Sequence, residues 1–552
     1  MPAMRGGFVA CLGDHGGRLE RAAERLRWHR GSGMRYRKQG LEIAALCDPG
    51  DGPTVDCTSG SLVLVHGGAA DPLAVLQSGS SRFASLHWDG AVLRATRDPM
   101  GLAPLFYRVA KGAVWLASEV HALLGIEPDA PHLSALTARA GFAPIDEETG
   151  WAGIRRVLPG CTLEIDGELR IKTLRYWDPA RRLGTFGGDR ADAVGELRER
   201  FRSAVARCYA PGSAVVLSGG QDSAAVAAGI PATADKPYLV HVEFAPLPRT
   251  QETRYAQAVA SALDVPLHCV PGELGPWDIE AELDVHCVPY SWLPFGIDEP
   301  VQSHLRASGV RVALDGHDGD GVLGPSGGAW GKLLLGLEIE RLIALSRSYG
   351  IRRAVHGLLS DLAPPGLRRG RYARRPTYME SVATYFLGDL STRIRAQDID
   401  RWSWPSQRWK VRQVHPLLPA AVISFEHKEI EAARHGIDLR HPFADRELVD
   451  FMISLPCAAK ADPVRAKSLM MEALGSDLPD SIRERPKSDY MEVVGQRVDA
   501  ASCLETIRSS RMRLPDVDYD RLFERGDAAP EEIPLFLLVN LARVHEFARR
   551  AR

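Results

Sequence analysis

From residue 1 to about residue 178 the chain alternates short apolar runs with turns bearing Gly and Asp. The runs 7–11, 61–66, 91–96 and 113–117 are examples, and their length and spacing predict β-strands. A polar, Gly-containing stretch follows at 179–190. Residues 191–210 carry apolar positions at helical spacing, and 214–217 is a short apolar run that predicts a buried strand. Strand and helix patterns then alternate: a helix over 223–228, a strand over 238–244, a helix over 252–263 and a strand over 310–314. That order predicts a parallel, doubly wound sheet with its ligand crevice at the carboxyl ends of the strands. Ser218 and Asp315 both fall there. From about residue 325 to 552 the pattern is mostly helical, without a fixed-period repeat or a low-complexity segment.

Length and charge narrow the class. At 552 residues the chain holds roughly two to four domains, each able to bury its own core. A net charge of −2 gives no global drive toward nucleic acid or an anionic membrane. No apolar run reaches membrane-spanning length, and residues 1–5 lack the apolar core of a signal peptide, so a cytoplasmic protein is expected. The nine cysteines include no Cys-x-x-Cys pair, which argues against a zinc site or a disulfide framework.

The stretch Ser213 to Ser223 is the richest in chemistry. The strand pattern ends in Ser218-Gly219-Gly220, and a helix of small residues follows. Such a turn presents backbone N–H groups and a helix N-terminus to an anion, and the glycines allow close approach. Asp222 is tolerated beside phosphate only with a cation between them, and Mg²⁺ takes oxygen ligands. The loop lacks the Gly-Lys-Ser/Thr ending of a Walker motif. It resembles the SGGxDS loop of enzymes that split ATP into AMP and pyrophosphate, although alone it also fits an ordinary Gly-rich turn. A second loop, Asp315-Gly316-His317-Asp318-Gly319-Asp320, follows the next crevice strand. Its three carboxylates would repel one another in a dry site without a cation. Asp320 is expected to join Asp222 on Mg²⁺, with Ser218, Gly219, Gly220, Ser223 and Gly316 at the nucleotide.

Farther on stand His441-Pro442-Phe443-Ala444-Asp445-Arg446, Leu455-Pro456, a helix led by Lys467, and Arg483, Arg485 and Lys487 ahead of Tyr490. These blocks resemble the synthetase domain of the asparagine synthetase family. Arg97-Asp98-Pro99-Met100-Gly101, Ala117-Ser118-Glu119, Leu158-Pro159-Gly160 and Tyr176-Trp177 resemble that family's glutaminase domain. The resemblance implies an α+β glutaminase-type (Ntn-hydrolase-like) sandwich over 1–178, a linker over 179–190, and an α/β ATP-pyrophosphatase domain with a helical C-terminal extension over 191–552. It places Lys487 at the acyl-adenylate, where a cation stabilises developing charge.

Two departures shape the expected function. The family's glutaminase begins with Cys after the initiator Met, but here Pro2 stands there, and the first cysteine, Cys11, lies inside a predicted strand. Only His29-Arg30-Gly31 survives of the family's Arg-x-Asn-His-Arg-Gly segment. Glutamine hydrolysis is therefore not expected, and the nucleophile becomes an amine of the substrate. In the second loop His317 replaces the family's Glu. It can accept a proton from the attacking amine, or serve only as a hydrogen-bonding residue. Glu426 is the candidate by position to orient His317.

The wording of the second loop resembles the lasso peptide cyclases, relatives that join a peptide's N-terminal amine to an Asp or Glu side chain. The resemblance implies ATP and Mg²⁺, a precursor core peptide as substrate, and a leader peptidase and leader-binding protein as partners, with no nucleic acid. Arg352, Arg353, Arg368, Arg369, Arg371, Arg374 and Arg375, then Trp402, Trp404 and Trp409, suit a peptide site, though also a solvated basic helix and core tryptophans. Three rivals remain: a β-lactam synthetase acting on a small β-amino acid, an ammonia-dependent asparagine synthetase, and a non-catalytic scaffold.

Overall fold

The computed structural model describes residues 7–26, 32–47, 54–56, 62–66, 82–141, 147–244, 252–272, 277–289, 298–323, 329–362, 378–402, 419–460, 462, 465, 467–485 and 498–551. Pro2, His29, Arg30, Gly31, Lys487, Trp404, Trp409 and the arginines from Arg368 to Arg375 lie outside them.

The N-terminal half is the predicted sandwich. Its first sheet contains β1 (Gly7–Gly13), β2 (Ser32–Lys38), β3 (Leu41–Cys47), β8 (Phe106–Ala110), β9 (Ala113–Ala117) and β10 (Ile154–Arg156), in the order β10-β8-β9-β1-β3-β2. The second contains β4 (Thr54–Asp56), β5 (Leu62–His66), β6 (Ala84–Trp88), β7 (Val92–Arg97), β11 (Cys161–Asp166) and β12 (Ile171–Arg175), in the order β12-β11-β7-β6-β5-β4. All neighbours that pair in these sheets are antiparallel.

The unbroken apolar run of β1 has a physical cause. Phe8, Ala10 and Leu12 point into the core between the sheets with Leu41, Leu86 and Trp88. Val9 and Cys11 point the other way, under a helical layer that includes Leu537, Leu541 and Phe547. A strand buried on both faces reads as continuous rather than alternating. The core on that face is built from near segments, the helix Leu19–Glu24 and residues 120–140, and from residues 498–548, more than 300 positions beyond the predicted linker (498 − 190 = 308). Trp151 marks the seam: its indole N–H donates to the Cys287 carbonyl at 2.7 Å, and its ring meets Phe547 edge-on at 4.7 Å. One apolar core thus crosses the boundary that the sequence places at 179–190.

The helix Arg190–Cys208 opens the second half. Asp189 and Asp192 form a reciprocal capping box at its start, and Ala193, Leu197, Phe201, Ala204 and Val205 make its buried stripe. The sheet beneath has five parallel strands, β13 (Ala214–Val216), β14 (Tyr238–Glu243), β15 (Leu267–Pro271), β16 (Val312–Leu314) and β17 (Asp438–Arg440). Their order, β15-β14-β13-β16-β17, reverses direction between β13 and β16. A doubly wound sheet opens its ligand crevice at that switch point. The two motif loops leave the carboxyl ends of these two strands.

Candidate active site

The first loop runs from β13 into the helix Gln221–Ala228, capped by Gly220. Gly219 has φ of +81°, and a Cβ there would lie 2.7 Å from the backbone oxygen of Glu252. Inside the turn the Ser223 Oγ accepts from the Ser218 N–H at 3.1 Å and lies 3.0 Å from the Ser218 Oγ. Behind it, His241 Nδ1 lies 2.6 Å from the Leu217 carbonyl oxygen.

The second loop runs from β16 into the helix Gly319–Leu323. Gly316 and Gly319 let it press against the first. A Cβ on Gly316 would come 2.5 Å from the Ser223 nitrogen, and one on Gly319 would come 2.4 Å from Asp222 Cγ. These two positions set the distance between the loops and have no room for a side chain.

Lys467 joins the loops electrostatically. Its ammonium donates to Asp222 Oδ2 and, at 2.9 Å, to Asp320 Oδ1. Burial opposes its charge, but the two carboxylates outweigh burial and raise its pKa. Asp222 and Asp320 therefore already share one cation, which fits the expected pair of Mg²⁺ ligands. Among the described residues no cluster of three His, Cys, Asp or Glu side chains is placed to hold a metal. A metal on this pair would complete its shell with phosphate oxygens and water, the usual habit of Mg²⁺. The sequence carried a signal for Lys467. A cation stands directly before the helix Ser468–Leu474, where the helix dipole favours an anion.

Arg485 fixes the phosphate loop from the other side. It donates to the Gly219 carbonyl and to Glu252 Oε1, the latter at 2.8 Å, and lies 4.3 Å over the Tyr255 ring. Lys487, assigned to the acyl-adenylate, lies two positions on and outside the described residues.

Behind the second loop is a buried charge network. Asp315 Oδ1 lies 2.6 Å from His441 Nδ1 and accepts from the His317 N–H at 3.1 Å. Its Oδ2 lies 3.5 Å from Lys428 Nζ. Burial alone would raise the Asp315 pKa, but His441 and Lys428 outweigh it and hold the carboxyl well below its usual range. His317 is half-buried, edge-on to Phe425, with Nε2 at 2.9 Å from Ser424 Oγ. Burial first, then the Lys428 charge, push its pKa down to about 3, so the ring is neutral.

The structure corrects the assignment of Glu426 as the partner of His317. Glu426 is 2% exposed and faces the N-terminal half, within 3.1 Å of Arg156 Nε and 3.0 Å of Arg97 Nη1. Ser424 and Glu426 both lie on the helix Pro419–Arg434, where a step of two residues turns the side chain by about 200°. Ser424, not Glu426, faces the imidazole.

The N-terminal half offers a contrast. Cys11 is 1% exposed, and burial, reinforced by Glu42 and Asp14, pushes its thiol up to about 12. Burial also raises the thiol of Cys161.

Comparison with known proteins agrees with this division. A family model described as asparagine synthase matches residues 196–524, and one described as glutamine amidotransferase domain matches residues 51–177. The chain is 24% identical over 509 residues to asparagine synthetase [glutamine-hydrolyzing] 3 of Bacillus subtilis, spanning 84% of this chain and 78% of that protein. It is 34% identical over 156 residues to the carboxyethyl-arginine beta-lactam-synthase of Streptomyces clavuligerus, spanning 27% of this chain and 28% of that protein. It is 23% identical over 478 residues to the amidase chry2 of Gibberella zeae, spanning 74% of this chain and 69% of that protein.

Proposed function

Because this chain belongs to the asparagine synthase family and is an ATP-dependent carbon–nitrogen ligase, we propose that it closes a macrolactam in a ribosomally made peptide, in the manner of the lasso peptide cyclases. The observation that carries this reading is the pairing of a nucleotide-type crevice with an N-terminal half whose described thiols are buried and protonated. A thiol with a pKa of about 12 supplies almost no thiolate at neutral pH, so Cys11 is no source of ammonia from glutamine. The amine then comes from the substrate.

A carboxylate is a poor electrophile and must be activated. In the proposed reaction a side-chain carboxylate oxygen of the peptide attacks the α-phosphorus of ATP. The bond from that phosphorus to the bridging oxygen breaks, and pyrophosphate leaves. Ser218, Gly219, Gly220 and Ser223 cradle the phosphates, with Gly316 beside them. Asp222 and Asp320 would hold Mg²⁺, which supplies charge neutralisation on the phosphate oxygens. The peptide's own N-terminal amine then attacks the acyl carbon, AMP leaves, and the new amide nitrogen gives up its proton. The net change in the peptide is loss of one water. Holding both ends in one site makes this step effectively unimolecular.

His317 is the proposed proton acceptor. Its ring is neutral, so a lone pair is present. With a pKa of about 3 it is a weak base, and it takes the proton only after carbon–nitrogen bond formation has acidified it. Lys487 is proposed to balance the charge of the departing adenylate. A precursor core peptide, a leader peptidase and a leader-binding protein are the proposed partners, acting in the cytoplasm. Among the described residues no helix is long and apolar enough to cross a membrane. The 34% identity to the beta-lactam-synthase favours one second reading, closure of a small β-amino acid by the same chemistry.

Mass spectrometry of a candidate peptide incubated with the protein, Mg·ATP and the leader peptidase tests the proposal. Loss of one water with AMP release supports it. An unchanged peptide, with AMP released on adding small β-amino acids, moves the assignment to the second reading.

A further inference from the structure

The helix Pro419–Arg434 touches both halves of the molecule with opposite faces. On one face Ser424 meets His317 at 2.9 Å and Lys428 lies 3.5 Å from Asp315. On the other, Glu426 lies between Arg97 and Arg156, all three no more than 3% exposed at the side chain. Arg82 reinforces this second face through Glu429 and also pairs with Asp438 on β17. The partners of Glu426 sit at the ends of two strands of the sandwich. Arg97 ends β7 and also donates to the Gly101 and Val157 carbonyls, and Arg156 ends β10.

We infer that Arg97 and Arg156 are positioning residues for amide synthesis: by gripping Glu426 they fix the rotation of the helix Pro419–Arg434, and so the seat of Ser424 on His317. The inference rests on the reading of His317 as part of the amide-forming site. A buried carboxylate between two guanidinium groups tolerates little displacement, because any shift exposes an uncompensated charge to a dry interior. The helix is stiff on the scale of two residues, so a rotation held at Glu426 is held at Ser424. The N-terminal half thereby has work in the reaction without contributing a group that touches substrate.

The test uses the full chain and two readouts. In protein labelled with ¹⁵N-histidine, the ring signals of His317 are assigned by their loss in His317→Gln. Ser424→Ala moves these signals. The expected result is that Glu426→Gln moves them the same way, while Arg156→Lys, which keeps a cation on Glu426, leaves them close to wild type. His317 signals that stay at their wild-type position in folded Glu426→Gln overturn the inference. If Glu426→Gln does not fold, Arg156→Gln, which removes one of the two cations on Glu426, takes its place under the same criterion.

The second readout is AMP release with whichever substrate wild type turns over. Glu426→Gln should lower kcat at least tenfold with the KM for ATP changed less than threefold. In the double variant with Ser424→Ala, the loss should not exceed that of the worse single change. Multiplying losses overturn the inference, since they mean the two residues act separately. Wild-type protein that turns over no peptide defeats the functional reading alone, because the histidine signals report the coupling without turnover.

Discussion

The two halves of this molecule treat their reactive groups in opposite ways. In the second half, two carboxylates from different loops share a lysine ammonium at the mouth of a parallel sheet. In the first, Cys11 faces a sealed apolar layer, with the carboxylates of Glu42 and Asp14 as its electrostatic neighbours and its pKa raised to about 12. One environment stabilises charge; the other suppresses it. Family resemblance covers both halves, so resemblance alone does not say which is active. What differs between them is the local electrostatics.

The largest expected effect comes from breaking the charged half. Asp222→Asn removes one of the two carboxylates and should lower AMP-forming turnover by about a thousandfold or more, given how much of phosphoryl-type catalysis is electrostatic. A discontinuous assay of AMP by chromatography checks this. Turnover within tenfold of wild type would remove Asp222 from the site.

A smaller effect should separate the halves by pH. His317 is held neutral with its pKa lowered to about 3, so the unfolded chain binds more protons below about 6.5 and stability falls as pH drops from there toward 3. The Cys11 pKa is raised, so its contribution is complete below about 9, the ordinary thiol value, and is lost as pH climbs toward about 12. Denaturant unfolding across pH should show His317→Gln flattening the acid limb and Cys11→Ala flattening the alkaline limb. A crossed or absent pattern would break the comparison.

The smallest effect is the sharpest statement about the first half. Cys11→Ala should leave AMP-forming turnover with the cognate substrate within about twofold, because a thiol of raised pKa supplies no nucleophile. Glutaminase activity that disappears in Cys11→Ala would reverse the assignment of the halves.

Much of the scaffold was legible in the chain because local patterns set it. The strands at Gly7–Gly13, Leu62–His66 and Ala113–Ala117 and the helix Arg190–Cys208 lie within a few residues of the runs that predict them. The short strands Leu267–Pro271 and Asp438–Arg440 were not legible. Only five and three residues long, they contain His, Asp or Arg, and pairing with neighbours rather than pattern makes them strands. Site residues divide the same way. Ser218 through Ser223 announce themselves by glycine spacing, whereas Lys467 and Arg485 reach the phosphate loop across more than 240 positions. Glu426 shows the limit of reading by proximity. Three glutamates crowd one helix at 426, 429 and 431, and only the rotation of that helix decides which half each one meets.

The helical cover over β1 carries a consequence for synthesis of the chain. Trp151 and Phe547, which meet at 4.7 Å, are 396 residues apart (547 − 151). At roughly 5–20 residues per second, a ribosome needs about 20 to 80 s to make that span. Throughout this interval the core over Val9, Cys11 and Trp115 has its early helical residues, among them Leu19, Ala22 and Leu123, but lacks the share that residues 498–548 supply. The nascent sandwich therefore waits, with one apolar side only partly covered, for the last-made helices. That wait is the period in which a holdase chaperone has something to grip, and in which crowding of neighbouring nascent chains is most costly to yield.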